Sequence, residues 1–162
     1  MTGRLAGRKA LVTGSANGIG RAIAARFVAE GADTILSDID GVAAEEAASE
    51  LNASGEGYGR AIASACDVSL GQDVTALFQL AEREFGELDV LVNNAGLNVR
   101  GDFRHMSDSD WERIREVNLD GVVRIARDGF DLLRKSETAC LINLASIMGH
   151  RGLRQLAGDA AT

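Results

Sequence analysis

Short apolar runs alternate along this chain with stretches whose apolar residues recur every three or four positions. A β-strand is predicted from each short run, at residues 9–14, 34–39, 59–68, 88–96 and 139–146. Helices are predicted from the amphipathic stretches, which begin at Gly18 and continue at residues 42–52, 74–85 and 107–134. This alternation predicts one α/β domain over residues 1–162, with a parallel sheet covered by helices on both faces.

Local signals set several of the predicted boundaries. Gly31 and Gly86 follow the last apolar positions of two helices, where glycine commonly ends a helix. Ser69 and Gln72 have the spacing of a capping box, which predicts the start of the third helix. The long helical region is expected to bend near Asn118.

The order of the strands follows from the way such units connect. Right-handed crossovers leave few possible connections, and the pattern predicts a Rossmann-like, doubly wound sheet with strand order 3-2-1-4-5. In such sheets a ligand binds beyond the carboxyl ends of the first and fourth strands, where the winding reverses. Candidate site residues are therefore expected in the segments that follow these strands.

The amino-acid composition argues against some classes of binding partner. The chain has 46% hydrophobic and 25% charged residues, an ordinary balance for a globular protein. A net charge of −7 without a basic stripe argues against nucleic acid and anionic membranes as partners. No apolar run approaches the roughly 20 residues of a membrane span, and the first residues lack the apolar core of a signal peptide. A cytoplasmic location is expected.

The cysteines, histidines and tryptophan suggest no chemistry of their own. Cys66 and Cys140 are isolated among apolar neighbours, and both are expected to be buried free thiols in a reducing compartment. Two lone cysteines form neither a metal site nor a disulfide framework, so no metal is expected. His105 and His150 are interpreted as exposed loop residues, and Trp111 as a helix-packing residue.

The segment TGSANGIG, residues 13–20, joins the first strand to the first helix. Gly14, Gly18 and Gly20 would let the backbone turn tightly and approach a pyrophosphate. The free N–H groups at the helix N-terminus would then attract the phosphate charge. Three glycines also suit an ordinary loop, so the interpretation depends on their position between a strand and a helix.

Asp38 ends the second predicted strand, 18 residues after Gly20. A carboxylate at this point can accept hydrogen bonds from ribose hydroxyls, and it would repel a 2′-phosphate. Residues 15–17 include no basic side chain to offset that repulsion. NAD is therefore expected rather than NADP, although Asp38 taken alone equally suits a solvated turn.

Together these motifs resemble those of the short-chain dehydrogenase/reductase family. The resemblance covers the whole chain through residues 13–20, Asp38, and the segments DV (67–68), NNAG (93–96), VNLDG (117–121) and INLAS (142–146). It implies an NAD(P)-dependent oxidoreductase that transfers hydride between nicotinamide and a secondary alcohol or ketone, and that forms a homo-oligomer. The implied cofactor-binding residues are Gly14, Ser15, Asn17, Gly18, Ile19, Gly20, Asp38, Ile39, Asp67, Val68, Asn94, Ala95 and Gly96.

The resemblance also implies catalytic roles. Asn118 would hold a water in a proton relay, and Ser146 would hydrogen-bond the substrate oxygen. Structural alternatives stay open, since Asn118 equally suits a helix kink and Ser146 a strand-end cap. Asn93 and Asn94 could likewise serve only to tie neighbouring loops together.

The last residues depart from the family pattern. Members of the family carry a tyrosine about a dozen residues after the serine, and a lysine four residues after that tyrosine. Asp159 stands at the tyrosine position, the sequence stops at Thr162, and Tyr58 is too distant to substitute. We expect a fragment without the family's sixth and seventh strands, with impaired catalysis. A non-catalytic NAD-binding or interaction module is the alternative.

Overall fold

A computed structural model describes residues 3–53 and 59–162 of the chain. Five parallel strands form one sheet, ordered third, second, first, fourth and fifth by their place in the chain, which confirms the predicted Rossmann-like topology. The predicted turn after the second helix, and Tyr58, lie outside the described residues. The strands are β1 (Lys9–Thr13), β2 (Asp33–Asp38), β3 (Ala61–Ala65), β4 (Val90–Asn93) and β5 (Cys140–Asn143).

Helices connect the strands, as the alternating pattern predicts. A 3₁₀ turn spans Phe103–His105, and a π-helical segment spans Glu116–Gly121. The α-helices are α1 (Gly18–Ala29), α2 (Gly41–Ala53), α3 (Gly71–Phe85), α4 (Asp108–Arg115), α5 (Val122–Leu133), α6 (Met148–Arg151) and α7 (Ala157–Ala161).

Consecutive strand residues contribute to two apolar clusters on opposite faces of the sheet, because side chains alternate along a strand. Leu11 and Leu91 belong to the cluster that includes Ile125 of α5. The next residues, Val12 and Val92, belong to the cluster formed with α1 and α2. Because both faces of β1 and β4 are buried, the sequences of these strands are continuous apolar runs.

Two helix ends match the predicted boundaries, and one helix start does not. Gly31, two residues after the end of α1, and Gly86, directly after α3, adopt left-handed φ angles of 96° and 74°. The capping box predicted at Ser69 and Gln72 is wrong, since Leu70 precedes α3 and no side chain caps it. The Ser69 hydroxyl instead donates to the Asp67 carboxylate at 2.7 Å, a charged acceptor that forms the stronger hydrogen bond.

The bend expected near Asn118 appears as the π-helical segment between α4 and α5. An extra residue within a helical turn changes the direction in which side chains project, and such segments are frequent at functional sites. Gly121 ends the segment with almost no room for a side chain, because a Cβ there would lie 2.9 Å from Val68 Cγ2. The segment therefore packs closely against the turn that follows β3.

The two cysteines differ in exposure. Cys66 is buried, and burial raises the pKa of its thiol to about 11. Cys140 is exposed, so the expectation of a buried thiol is wrong there. The reason is its position on β5, which forms an edge of the sheet and has all of its residues exposed.

The remaining residues singled out from the sequence lie on the surface. His150 is exposed, but it belongs to the short helix α6 rather than to a loop. His105 is exposed in the 3₁₀ turn, and Trp111 lies on α4 with 36% of its surface exposed. None of the helices in residues 3–53 and 59–162 is both long enough and apolar enough to cross a membrane.

Asp89 connects the start of the central strands. Its carboxylate accepts hydrogen bonds from the Lys9 amide and the Arg8 guanidinium, each at 2.8 Å, and from the Ser136 hydroxyl at 2.8 Å. Burial alone would raise the pKa of this carboxyl, but these donors outweigh it and hold the pKa below its usual value. The charged carboxylate thus joins β1 to the segments that flank β4 and β5.

Candidate functional site

A cleft opens at the carboxyl ends of β1, β2 and β4, where the winding of the sheet reverses. One part, which we call the Asp38 cavity, has a volume of about 300 Å³. A second part, the Ser146 cavity, has a volume of about 330 Å³ and lies towards the end of β5. The two parts share residues 94–97, so they are two halves of one cleft.

The turn after β1 is held by the segment after β4. Asn94 donates from Nδ2 to the carbonyl oxygens of Thr13 at 2.9 Å and Gly14 at 2.7 Å. The Thr13 hydroxyl accepts from the amides of Asn94 and Ala95, each at 3.1 Å. These contacts show that Asn94 has a structural role, and they place it between the two cavities.

Glycine is required where this turn meets α1. Gly14 has a left-handed φ of 62°, and Gly20 packs so closely that a Cβ would lie 2.2 Å from the Gly14 oxygen. The side chain of Asn17, which precedes α1, makes no hydrogen bond to the first-turn amides. The first turn of α1 therefore presents free N–H groups and the positive end of the helix dipole beside the cleft.

Ser15 and Ile19 flank this turn in different environments. Ser15 is fully buried, and its hydroxyl donates to the Val12 carbonyl oxygen at 2.8 Å. It stabilises the turn from inside. Ile19 is 67% exposed and lines the Ser146 cavity. Of these two predicted cofactor residues, only Ile19 has a side chain that faces the cleft.

Asp38 lies at the end of β2 and lines the cavity named after it. Its Oδ2 accepts from the Ala16 amide at 2.9 Å, and its Oδ1 accepts from the Asp40 amide at 3.1 Å. Each carboxylate oxygen keeps further acceptor capacity, because ionised carboxylates offer about four lone-pair sites. The side chain is thus fixed in direction and still able to accept hydrogen bonds from a ligand.

Residues that follow β2 and β3, and one residue of α4, complete the Asp38 cavity. Asp67 and Val68 line it, as does the exposed side chain of Ile39. The Asp67 carboxylate is fixed by the Ser69 amide at 2.9 Å, in addition to the Ser69 hydroxyl. Arg113 of α4 also lines this cavity. The sequence motifs did not indicate Arg113, because it lies far along the chain and only the packing of α4 brings it here.

The candidate catalytic residues meet in the Ser146 cavity. Asn118 lies in the π-helical segment, where its Oδ1 accepts from the Leu97 amide and its Nδ2 donates to the Leu97 oxygen, both at 2.9 Å. Ser146 and Asp159 line the same cavity, and the Ser146 hydroxyl donates to Asp159 Oδ2 at 3.0 Å. The structure therefore brings Asn118, Ser146 and Asp159 together, although they come from three elements.

The fold and its cleft are those of the doubly wound α/β class, which binds ligands at this point of the sheet. The chain belongs to the short-chain dehydrogenase family, whose family model, described as "short chain dehydrogenase", matches residues 8–162. This is the family that the sequence motifs resemble.

Relatives and solved structures agree with this assignment. The chain is 37% identical over 153 residues to an uncharacterized oxidoreductase of Mycobacterium bovis, covering 94% of this chain and 60% of that protein. It is 38% identical to meso-2,3-butanediol dehydrogenase of Serratia marcescens, covering 88% and 54% respectively. Both matches leave a large part of the relative unmatched, so the chain spans 54–60% of these proteins.

A solved structure shows the same fold. The chain superimposes with a TM-score of 0.88 on a 3-ketoacyl-(acyl-carrier-protein) reductase from Brucella melitensis complexed with NADH, at 33% identity. The match covers 97% of this chain and 64% of that one.

Proposed function

We propose that this chain is the dinucleotide-binding part of an NAD(H)-dependent oxidoreductase that acts on a secondary alcohol or ketone. The observation that carries the proposal is the position of Asp38, fixed at the end of β2 with spare acceptor capacity in the cleft. The free first-turn amides of α1 and the close approach at Gly20 fit a pyrophosphate. When bound, a nicotinamide cofactor would supply the hydride chemistry.

Different residues in and beside the Asp38 cavity would bind different parts of the cofactor. Asp38 would accept the ribose hydroxyls, and Asp67, Val68 and Ile39 would enclose the adenine. Gly14, Asn17, Gly18 and Gly20 would form the turn around the pyrophosphate. In support of these assignments, Asp38, Ile39, Asp67 and Val68 all line one cavity together with Gly14.

Arg113 complicates the preference for NAD that the sequence suggests. It lines the same cavity as Asp38, and it forms no ion pair in residues 3–53 and 59–162. A cation there would attract a 2′-phosphate, whereas Asp38 would repel it. We propose that Asp38 decides the outcome because it lies at the end of β2, where the ribose hydroxyls are expected, and is held by two backbone amides.

The test is titration calorimetry with NADH and NADPH on the wild type, Asp38→Asn and Arg113→Gln. We expect the wild type to bind NADH at least about tenfold more tightly, because like charges brought together cost several kcal/mol. Asp38→Asn should remove most of this preference, and Arg113→Gln should increase it. Tighter NADPH binding by the wild type would contradict the assignment of Asp38.

Catalysis by the chain is proposed to be slow. A carbonyl that receives hydride needs a proton, and positioned acid–base groups contribute roughly 10²–10⁴-fold to such steps. Asp159 occupies the position of the family's tyrosine, and its side chain is shorter, so it would not reach the same point. Asn118 would still hold a relay water, and Ser146 would still contact the substrate oxygen. The measurement is NADH absorbance against a panel of ketones and alcohols; rapid turnover abolished by Ser146→Ala would contradict slow catalysis.

The presence of Asp159 also favours a second candidate, a non-catalytic NAD-binding or interaction module. Such a module would bind NADH normally and show no turnover with any alcohol or ketone. The two candidates are separated by the turnover of the wild type, since a slow turnover that Ser146→Ala abolishes favours the oxidoreductase.

We also propose a homo-oligomer in the cytoplasm. Leu119, Val123 and Phe130 are 45%, 55% and 61% exposed along the π-helical segment and α5, so they offer an apolar surface for a second copy. The cytoplasmic location is supported by the free thiols of Cys66 and Cys140.

A further inference from the structure

The hydroxyl of Ser146 already makes two hydrogen bonds within the protein. It donates its single proton to Asp159 Oδ2 at 3.0 Å and accepts a hydrogen bond from the Met148 amide at 3.1 Å. A serine hydroxyl has one proton and two acceptor lone pairs. Ser146 therefore has an acceptor site left for a ligand and no donor.

Asp159 adds to this acceptor character. Of the polar groups in residues 3–53 and 59–162, only Ser146 donates to its carboxylate, and no lysine or arginine there pairs with it. The lining of the Ser146 cavity includes no basic side chain, and apart from Ser146 and Asp159 it consists of apolar, amide and hydroxyl groups. The pair thus presents acceptor oxygens and negative charge to a ligand in this cavity.

We propose that Ser146 and Asp159 form an acceptor site that selects a ligand with a hydrogen-bond donor, binding a secondary alcohol in preference to the corresponding ketone. An alcohol can donate its hydroxyl proton to the carboxylate. A ketone oxygen only accepts, so Ser146 and Asp159 would offer it no hydrogen-bond donor. This inference rests on the proposed function in taking an alcohol and its ketone as the ligand pair.

The size of the preference follows from the unmatched acceptors. A ligand that leaves a buried or partly buried polar group without a partner loses the hydrogen bond and also the solvation of that group. Ser146 and Asp159 are both partly buried, so solvent competes but does not remove the effect. We expect the alcohol to bind on the order of tenfold more tightly than the ketone.

The experiment uses cyclohexanol and cyclohexanone, which share a ring and differ at the oxygen. Each is titrated into the 162-residue chain while the backbone amides near Ser146 and Asp159 are followed by NMR, alone and with ADP-ribose present. ADP-ribose lacks nicotinamide, so no hydride can be transferred during the titration. Tighter binding of cyclohexanol supports the acceptor site, and equal or tighter binding of cyclohexanone overturns it.

Two variants locate the origin of the preference. Asp159→Asn keeps the size of the side chain but introduces N–H donors, and we expect the preference for the alcohol to fall to about twofold or less. Asp131→Asn is the control, because Asp131 is an exposed carboxylate on α5 outside the cavity lining. The control should keep the full preference, and an unchanged preference in Asp159→Asn would overturn the proposal.

The same data distinguish this inference from the proposed function. Loss of ADP-ribose binding with a retained alcohol preference would contradict the dinucleotide site and leave the acceptor site standing. Normal ADP-ribose binding with a ketone preference would contradict the acceptor site alone. Amide spectra of each variant establish that the fold is intact, so a lost preference cannot be attributed to unfolding.

Discussion

Gly20 offers a sharp test of how the turn after β1 is built. A Cβ at this position would lie 2.2 Å from the Gly14 carbonyl oxygen and 2.4 Å from Asn94 Nδ2. Both contacts are far inside van der Waals distance, and the nearer atom belongs to the backbone. Gly20→Ala must therefore displace the turn, the Asn94 amide, or both.

The cost of Gly20→Ala can be worked out from these contacts. Overpacking costs about 1–3 kcal/mol, and losing the Asn94 hydrogen bond to Gly14 adds about 1 kcal/mol. The expected loss in the free energy of unfolding is thus about 2–4 kcal/mol, a large share of the total for a typical domain. NADH affinity should also fall by about tenfold or more, because the same turn would hold the pyrophosphate.

Gly71→Ala is the matched control for Gly20→Ala. Gly71 is the first residue of α3, its φ is not in the left-handed region, and a Cβ there meets nothing within 4 Å. Alanine is expected to leave stability unchanged or to raise it by about 0.4–1 kcal/mol. Urea unfolding and NADH titration measure both variants. A Gly20→Ala protein that matches Gly71→Ala in both assays would refute the close packing of this turn.

Three further predictions concern other parts of the chain. Asp89→Asn should lower stability by about 1.5–3 kcal/mol at neutral pH, because it weakens charged hydrogen bonds. The folded-state pKa of Asp89 is held below its usual value, so the difference should persist at neutral pH and shrink as the pH falls through the acidic range. Urea unfolding at several pH values measures this, and a pH-independent difference would count against the role of its charge. Asn94→Asp should destabilise more than Asn94→Ala, because a carboxylate would face the Thr13 and Gly14 oxygens; equal unfolding midpoints would oppose this. Phe130→Glu should shift an oligomer towards monomer in light scattering, whereas a wild type already monomeric at micromolar concentration would exclude the proposed interface.

Much of the fold could be predicted because it depends on short-range patterns. The continuous apolar runs at β1 and β4 reflect burial on both faces of the sheet, and the glycines at Gly31 and Gly86 mark helix ends through their left-handed φ angles. Asp38 could be placed at the cleft because the end of a parallel strand fixes where its side chain lies.

Features that depend on tertiary contacts were not predictable in the same way. Ser69 fits a capping pattern, but the nearby Asp67 carboxylate competes for its hydroxyl. Cys140 has apolar neighbours and is exposed because its strand lies at the sheet edge. The contact between Ser146 and Asp159, and the presence of Arg113 in the Asp38 cavity, arise only when α7 and α4 pack around the cleft.

We expect the cleft at the ends of β1, β2 and β4 to bind a nicotinamide dinucleotide. Backbone amide chemical-shift mapping with NADH can locate the bound cofactor. Binding in this cleft should give saturable shifts concentrated at residues 13–20, 38–39, 66–68 and 94–97. The surface groove between α3 and α5, lined by Phe78, Glu82 and Asp128 among others, should show none. Saturable shifts confined to that groove, or no saturable shifts at all, would contradict the account.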